Sequence, residues 1–198
     1  MRNRGPAARQ LDLNNSAYEI YEHFYDSGWT DGLPIIPPTQ DLVQAMLRYT
    51  DRDPHDVVSI VEPRQGQATV EKIAINAVMA GCKPEYLPVI ITAVAAIVEP
   101  QYNLYGRQTT THPGAHLVII NGPIRQELDV NCRQNVFGQG WRANATIGRA
   151  IRLICTNIGG GIPGMTDMAT HGHPGKYSFC IGEDEEESPW ESLHVERG

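Results

Sequence analysis

Two histidines stand four residues apart in the run Thr109-Thr-Thr-His112-Pro-Gly-Ala-His116. On a helix that spacing would turn both imidazoles toward one metal ion, but Pro113 and Gly114 oppose a helix, and no acidic third ligand lies nearby in sequence. The plainer reading is a turn into a strand with both rings hydrogen-bonded, which leaves His112 and His116 as weak metal candidates. An imidazole titrates near neutrality, so His112 is the candidate proton carrier. Thr110 and Thr111 beside it, and Asn121 at the end of the next apolar stretch, offer polar groups to a substrate.

A second constellation runs from Asn131 to Arg149. A glycine-bearing loop feeding a helix start presents unpaired backbone N–H groups, and Arg142 adds a planar guanidinium, a combination suited to a carboxylate or phosphate. Asn144 and Thr146 stand where they would either cap that helix or touch the ligand. An ordinary capped helix behind a long loop is the alternative. The run matches neither the Walker pattern nor the dinucleotide GxGxxG fingerprint, so no nucleotide cofactor follows from it.

The third is acidic, Glu183-Asp-Glu-Glu-Glu187. Clustered carboxylates hold divalent cations or raise one another's pKa enough to make a general acid, so Glu183, Glu185 and Glu186 are secondary acid or metal candidates. A solvated surface, or docking on a basic partner, is the competing reading. Trp190 follows closely and suits a docking anchor. Of the four cysteines, Cys132 alone sits in a polar loop, with Arg133 beside it to favour thiolate; Cys82, Cys155 and Cys180 fall in helix or strand contexts and read as buried packing.

The elements that must position these groups can be read from periodicity and punctuation. A helix is expected from Ser16 to Asp26, with Asn14, Asn15 or Ser16 as cap, and a short one from Gln40 to Arg48 capped by Thr39. Between them Asp31-Gly-Leu-Pro-Ile-Ile-Pro-Pro-Thr39 cannot be helical, because its prolines remove donors and force extended neighbours. Val57 to Val61 reads as a strand. Thr69 caps a helix over Val70 to Ala80 that Gly81 ends, and a second helix from Pro84 to about Val98 should fold back on it as a hairpin. That second helix is apolar nearly all round and calls for cover on both sides, from its own fold or from another chain. His116 to Ile120 reads as a strand, Asn144 to Asn157 as the clearest helix, with Ile147, Ile151, Ile154 and Ile158 on one ridge, and Tyr177 to Ile181 as a last strand.

At 198 residues, 41% of them hydrophobic, the chain suits one domain with a real core. The expected architecture is a mixed α/β domain, about five helices on a small sheet, over residues 14–182, with a flexible arm at 1–13 and an acidic tail at 183–198. The net charge of −7 is concentrated in that tail, which carries seven acidic residues against one arginine; the remainder has 16 acidic against 15 basic residues. Such a body lacks the basic face that nucleic acid requires. No signal peptide is evident, no apolar run is long enough to span a bilayer, and dispersed cysteines without a CxxC pair fit a reduced compartment, so a cytoplasmic protein is expected.

Four stretches, Asp31-Gly-Leu-Pro-Ile-Ile-Pro-Pro-Thr39, Ala77-Val-Met-Ala-Gly-Cys82, Pro84-Glu-Tyr-Leu-Pro88 and Arg142-Ala-Asn-Ala-Thr-Ile-Gly-Arg149, resemble bacterial proteins that accompany, or are fused to, the UGSC (seleno)protein family. The resemblance covers most of residues 28–198, but the UGSC-type motif itself is absent, which implies that any redox-active thiol or selenol of the system lies on another chain. Relatives are expected to continue beyond His194-Val-Glu-Arg-Gly198, which implies a split arrangement with a second protein subunit. The expectation is therefore a subunit of a hetero-oligomeric enzyme acting on a small anionic organic substrate, with lyase or reductive (oxidoreductase) chemistry favoured. Arg142, Asn144 and Thr146 would hold the substrate and His112 would move protons. A structural or regulatory subunit is the alternative, and a hydrolase or hydratase dependent on a divalent metal stands third.

Overall fold

The computed structural model describes residues 8–13 and 16–197, so part of the expected N-terminal arm lies outside the described residues. The first half of the chain follows its local signals closely. Helix α1 (Ala17–Asp26) is capped by Ser16, α2 (Gln40–Leu47) by Thr39, and α3 (Val70–Ala80) by Thr69, each hydroxyl accepting from a backbone amide of the first turn. Gly81, at φ 90°, closes α3 in the left-handed conformation that glycine adopts without steric cost. A 3-10 turn at Pro84–Tyr86 precedes α4 (Leu87–Ile97).

Strand β1 (Val57–Val61) pairs antiparallel with β2 (Gly66–Thr69), which the sequence reading did not anticipate. Gly66 is the reason it fits: a Cβ there would lie 1.9 Å from the Ile158 carbonyl oxygen, so only glycine lets the hairpin lie against the end of the long helix α7 (Arg142–Asn157).

Helix α7 organises the rest. Its Ile147, Ile151 and Ile154 ridge is fully buried, and it packs on α3, α4 and strand β4 (Cys180–Gly182). Strand β3 (Val118–Ile120) pairs parallel with β4, and the crossover that a parallel pair demands contains α6 (Ile124–Glu127) and α7. Both strands are shorter than expected. Residues 177–179 turn from the sheet toward α7, where the Ser178 hydroxyl bonds the carbonyls of Asn144 and Ala145, so pairing begins only where Val118 N–H reaches the Phe179 carbonyl.

The chain is one mixed α/β domain, as expected, but eight α-helices occur among the described residues rather than about five, and the sheet is split into two separate pairs. The additional helices, α5 (Leu104–Gln108), α6 and α8 (Leu193–Arg197), are four or five residues long and have no amphipathic period to betray them. No single helix among the described residues is long and apolar enough to cross a membrane. Helix α4 buries Leu87, Ile90, Ile91, Val94 and Ile97 but leaves Pro88, Thr92, Ala95 and Ala96 exposed, so the chain alone covers one side of it.

The proline strap of residues 31–39 is anchored by charge. Arg149 on α7 grips both carboxylate oxygens of Asp31, at 2.7 and 2.8 Å, and donates further to the carbonyls of Leu33 and Pro34. Two stretches more than 100 residues apart in sequence therefore meet in a mostly buried ion pair, with side-chain exposures of 7% and 14%.

Candidate functional site

A largely buried polar network gathers around His116, not His112. Tyr102 ends a 3-10 turn at Pro100–Tyr102, and its hydroxyl lies 2.6 Å from His116 Nδ1. His116 is only 8% exposed and its Nε2 has no hydrogen-bond partner. Burial, reinforced by the positive charges of Arg152, Arg107 and Lys176, lowers its pKa to about 3, so the imidazole is neutral at physiological pH. Tyr102 is shifted the other way by burial and keeps its proton. A neutral imidazole has one donor and one acceptor nitrogen: when the Tyr102 hydroxyl donates to Nδ1, Nε2 carries the proton.

Cations crowd this pair. Arg152 of α7 donates from Nε to the Lys176 carbonyl (3.0 Å) and from Nη1 to Gln108 Oε1 (3.3 Å). Lys176 binds Asp167 at 2.7 and 2.8 Å, and the Arg107 guanidinium lies 4.5 Å from the Tyr102 ring centre. Lys176 and Arg152, the latter at 3.9 Å, share the single buried carboxylate of Asp167, while Arg107 lies exposed at the edge, so the site carries more positive than negative charge. His116, Arg152, Lys176 and Phe179 enclose a cavity of about 10 Å³, floored by Gly148 and Gly175, the size of one water. A side chain at Gly148 would strike the Phe179 amide and the Ser178 hydroxyl, both at 2.6 Å.

Two loops close over the network. Met168 N–H donates to the Thr110 carbonyl and Thr170 N–H to the Thr111 carbonyl, so the 106–116 and 163–176 loops are held together. His112 stands exposed on that rim, with its own amide bonded to the Thr110 hydroxyl. Neither His112 nor His116 belongs to a group of three potential metal ligands among the described residues.

The Arg142 constellation is built differently from the anion grip expected of it. Trp141, not Asn144, occupies the N-cap of α7. The buried Asn144 amide exchanges two hydrogen bonds with the Asn131 backbone, 2.8 Å to N–H and 2.9 Å to C=O, pinning the polar loop to the helix. Thr146 bonds back to the Arg142 carbonyl, and Arg142 Nε donates to the Gly81 carbonyl at 2.9 Å. The three side chains expected to share one ligand therefore point to three structural partners. Asn121 sits half-buried at the end of β3.

The acidic run folds back onto the domain. Glu183 accepts the Leu193 amide at the start of α8, Glu185 accepts the Gly122 amide, and Glu186 takes hydrogen bonds from Arg125 and Gln126. Arg125 is buried, and Arg133 adds a contact to Asp184 at 3.2 Å. The Arg125 hydrogen bond, more than any other influence, holds Glu186 down to about 2, which corrects the expectation of a carboxyl raised toward general-acid use. Oxygen atoms of Asp184 and Glu186 and the Cys132 sulfur lie within 4.8 Å of one another, but guanidinium groups already supply the counter-charge there. Arg125→Ala should lower stability and speed amide exchange over 183–187, because it removes the buried guanidinium to which Glu185 and Glu186 are tied; unchanged exchange there would show that the run is held by something else.

Burial raises the thiols of Cys82, Cys155 and Cys180 to about 12, 11 and 12 respectively, in keeping with inert packing. Tyr102, Gln108, Arg152, Asp167 and Lys176 were not singled out from sequence. Arg152 carried the one usable signal, a cation beside the apolar ridge of a core helix, where a buried partner must exist. Comparison with protein-family models, with curated proteins and with solved structures returns no match.

Proposed function

We propose that the chain is a subunit of a hetero-oligomeric enzyme that acts on a small carboxylate or similar organic anion, with His116 and Tyr102 as its proton-handling pair. The observation that carries this reading is a neutral, buried imidazole whose Nε2 is unpartnered while Arg152 and Lys176 stand beside it. An imidazole kept neutral, with its proton on Nε2 and a phenol at Nδ1, can donate that proton toward charge developing on a substrate oxygen while the phenol replaces it, and the neighbouring cations would offset a substrate's negative charge. His112, Thr110 and Thr111 lie on the rim, where an incoming anion would meet them first. Lyase chemistry needs no more than this acid–base pair; a reductive cleavage would draw its electrons from a thiol or selenol on a partner, as the UGSC-associated resemblance implies. The open face of α4 and the 79%-exposed Trp190 favour a second subunit.

A second reading, a structural or regulatory subunit, is supported by the size of the His116 cavity, which admits one water and would need the 163–176 loop to yield before a substrate could enter. Native mass spectrometry of the protein from its own cells reports whether a second chain is present. Calorimetric titration of that assembly with acetate, succinate and sulfate tests the site: carboxylate binding should weaken at least tenfold in Arg152→Ala and remain unchanged in Arg142→Ala. Carboxylate affinity that is indifferent to Arg152 would remove the catalytic reading.

A further inference from the structure

A second site, sharing no lining residue with the His116 cavity, lies where α1, α2 and α3 converge under residues 8–13. It is a groove of about 1350 Å³, ample for a small organic ligand. Its walls are chiefly apolar, with Phe24, Trp29, Val43, Ile75 and Met79 prominent. Phe24 and Trp29 stack edge to face, their ring centres 5.4 Å apart, so the apolar wall is a preformed aromatic corner.

Set into this wall is a buried carboxylate that makes no ion pair among the described residues, although Arg9 and Lys72 also line the groove. Glu71 is only 6% exposed, yet it pairs with no cation among the described residues; its one hydrogen bond is accepted by Oε2 from the Ala8 amide at 2.8 Å. The neighbouring Lys72 does not neutralise it, because its ammonium is turned to the Gln67 carbonyl at 3.3 Å. A second acceptor also lines the groove. Asn157 gives its amide hydrogens to the Trp29 carbonyl and to Asn76 Oδ1, which leaves its own Oδ1 buried with no partner. Buried acceptors without donors are costly, and a buried carboxylate facing a neutral amide is costlier than one facing a cation.

From this the geometry points to a binding site for a small organic ammonium ion with an apolar body, its charged head at Glu71 and its hydrocarbon against Phe24, Trp29 and Ile75. Residues 8–13 form one wall, and the Ala8 N–H shows the kind of donor the carboxylate accepts. An anion is disfavoured by Glu71, and a neutral apolar molecule would leave Asn157 Oδ1 unserved and Glu71 with the Ala8 amide alone.

Calorimetric titration of the full chain with three probes of matched shape tests the assignment: 2-phenylethylammonium, 2-phenylethanol and 3-phenylpropionate. The ammonium should bind at least tenfold more tightly than the alcohol, and the propionate should not compete with it. In Glu71→Gln the ammonium should fall to the affinity of the alcohol. Circular dichroism checks that this variant is folded; if it is not, Ile75→Trp crowds the apolar wall of the groove while sparing the carboxylate and should weaken ammonium binding at least tenfold. No ammonium binding to the wild type, equal binding of all three probes, or affinity unchanged in the folded variant would overturn the assignment. Arg152→Ala, which alters only the other site, should leave ammonium binding intact.

Discussion

Lowering the pH from 6.5 to 4.5 is expected to remove about 2–3 kcal/mol of folding stability through His116 alone. The group's pKa is depressed on folding, from an ordinary 6.5 to about 3. Above pH 6.5 both states are neutral and nothing is lost. Below it the unfolded chain takes up a proton that the buried imidazole refuses, so stability falls by about 1.4 kcal/mol per pH unit, toward a total of about 5 kcal/mol as pH 3 is approached. Glu186 acts in a lower window: its pKa falls from 4.5 to about 2, so its contribution is present above 4.5 and is lost as pH drops through 2. The interval from 6.5 to 4.5 therefore isolates the histidine. Urea unfolding at both ends, in the wild type and in His116→Gln, measures the effect: the wild type should lose the stated amount and the variant much less. Equal losses in both proteins would mean that His116 takes up its proton in the folded protein as readily as in the unfolded chain, so that the network around it does not depress its pKa.

Replacing Arg149 by alanine should destabilise the protein by about 3–5 kcal/mol, the range for breaking a mostly buried, hydrogen-bonded ion pair by removing one partner. The loss combines the two Asp31 contacts with two carbonyl contacts in the strap, and it leaves the Asp31 carboxylate with little access to water. Asp31→Ala should cost less, because Arg149 keeps its carbonyl acceptors. Removing both should be milder than the sum of the two single losses, since no charge is then stranded. Chemical denaturation of the four proteins completes the cycle; additive losses would show that the two groups do not stabilise one another.

The two cases show what kind of information is local. Ser16, Thr39, Thr69 and Gly81 mark helix ends through bonds made within a few residues, and α1, α2 and α3 begin or end beside them as the sequence reading expected. The isoleucine ridge of α7 is equally local, since period alone tells which side must be buried. The Thr109 to His116 run, read from sequence as a turn into a strand, does hold one member of the His116 network. It did not say which residues would lead there: His112 had the more exposed loop setting, whereas His116 gains its character from Tyr102, Arg152 and Lys176, which reach it from separate elements.

Sequence by itself determined the mixed α/β class, the long helices with their caps, the non-helical strap and the location of a polar face, because capping, proline geometry and hydrophobic period act over a few bonds. Tertiary structure alone decided that Asn144 clamps a loop, that the acidic run closes on Arg125, that Asp31 finds Arg149 and that Glu71 is buried on the lining of an apolar groove. Each of these depends on which distant group supplies or withholds a charge or hydrogen bond once water is excluded, and that pairing is set by packing rather than by neighbours along the chain.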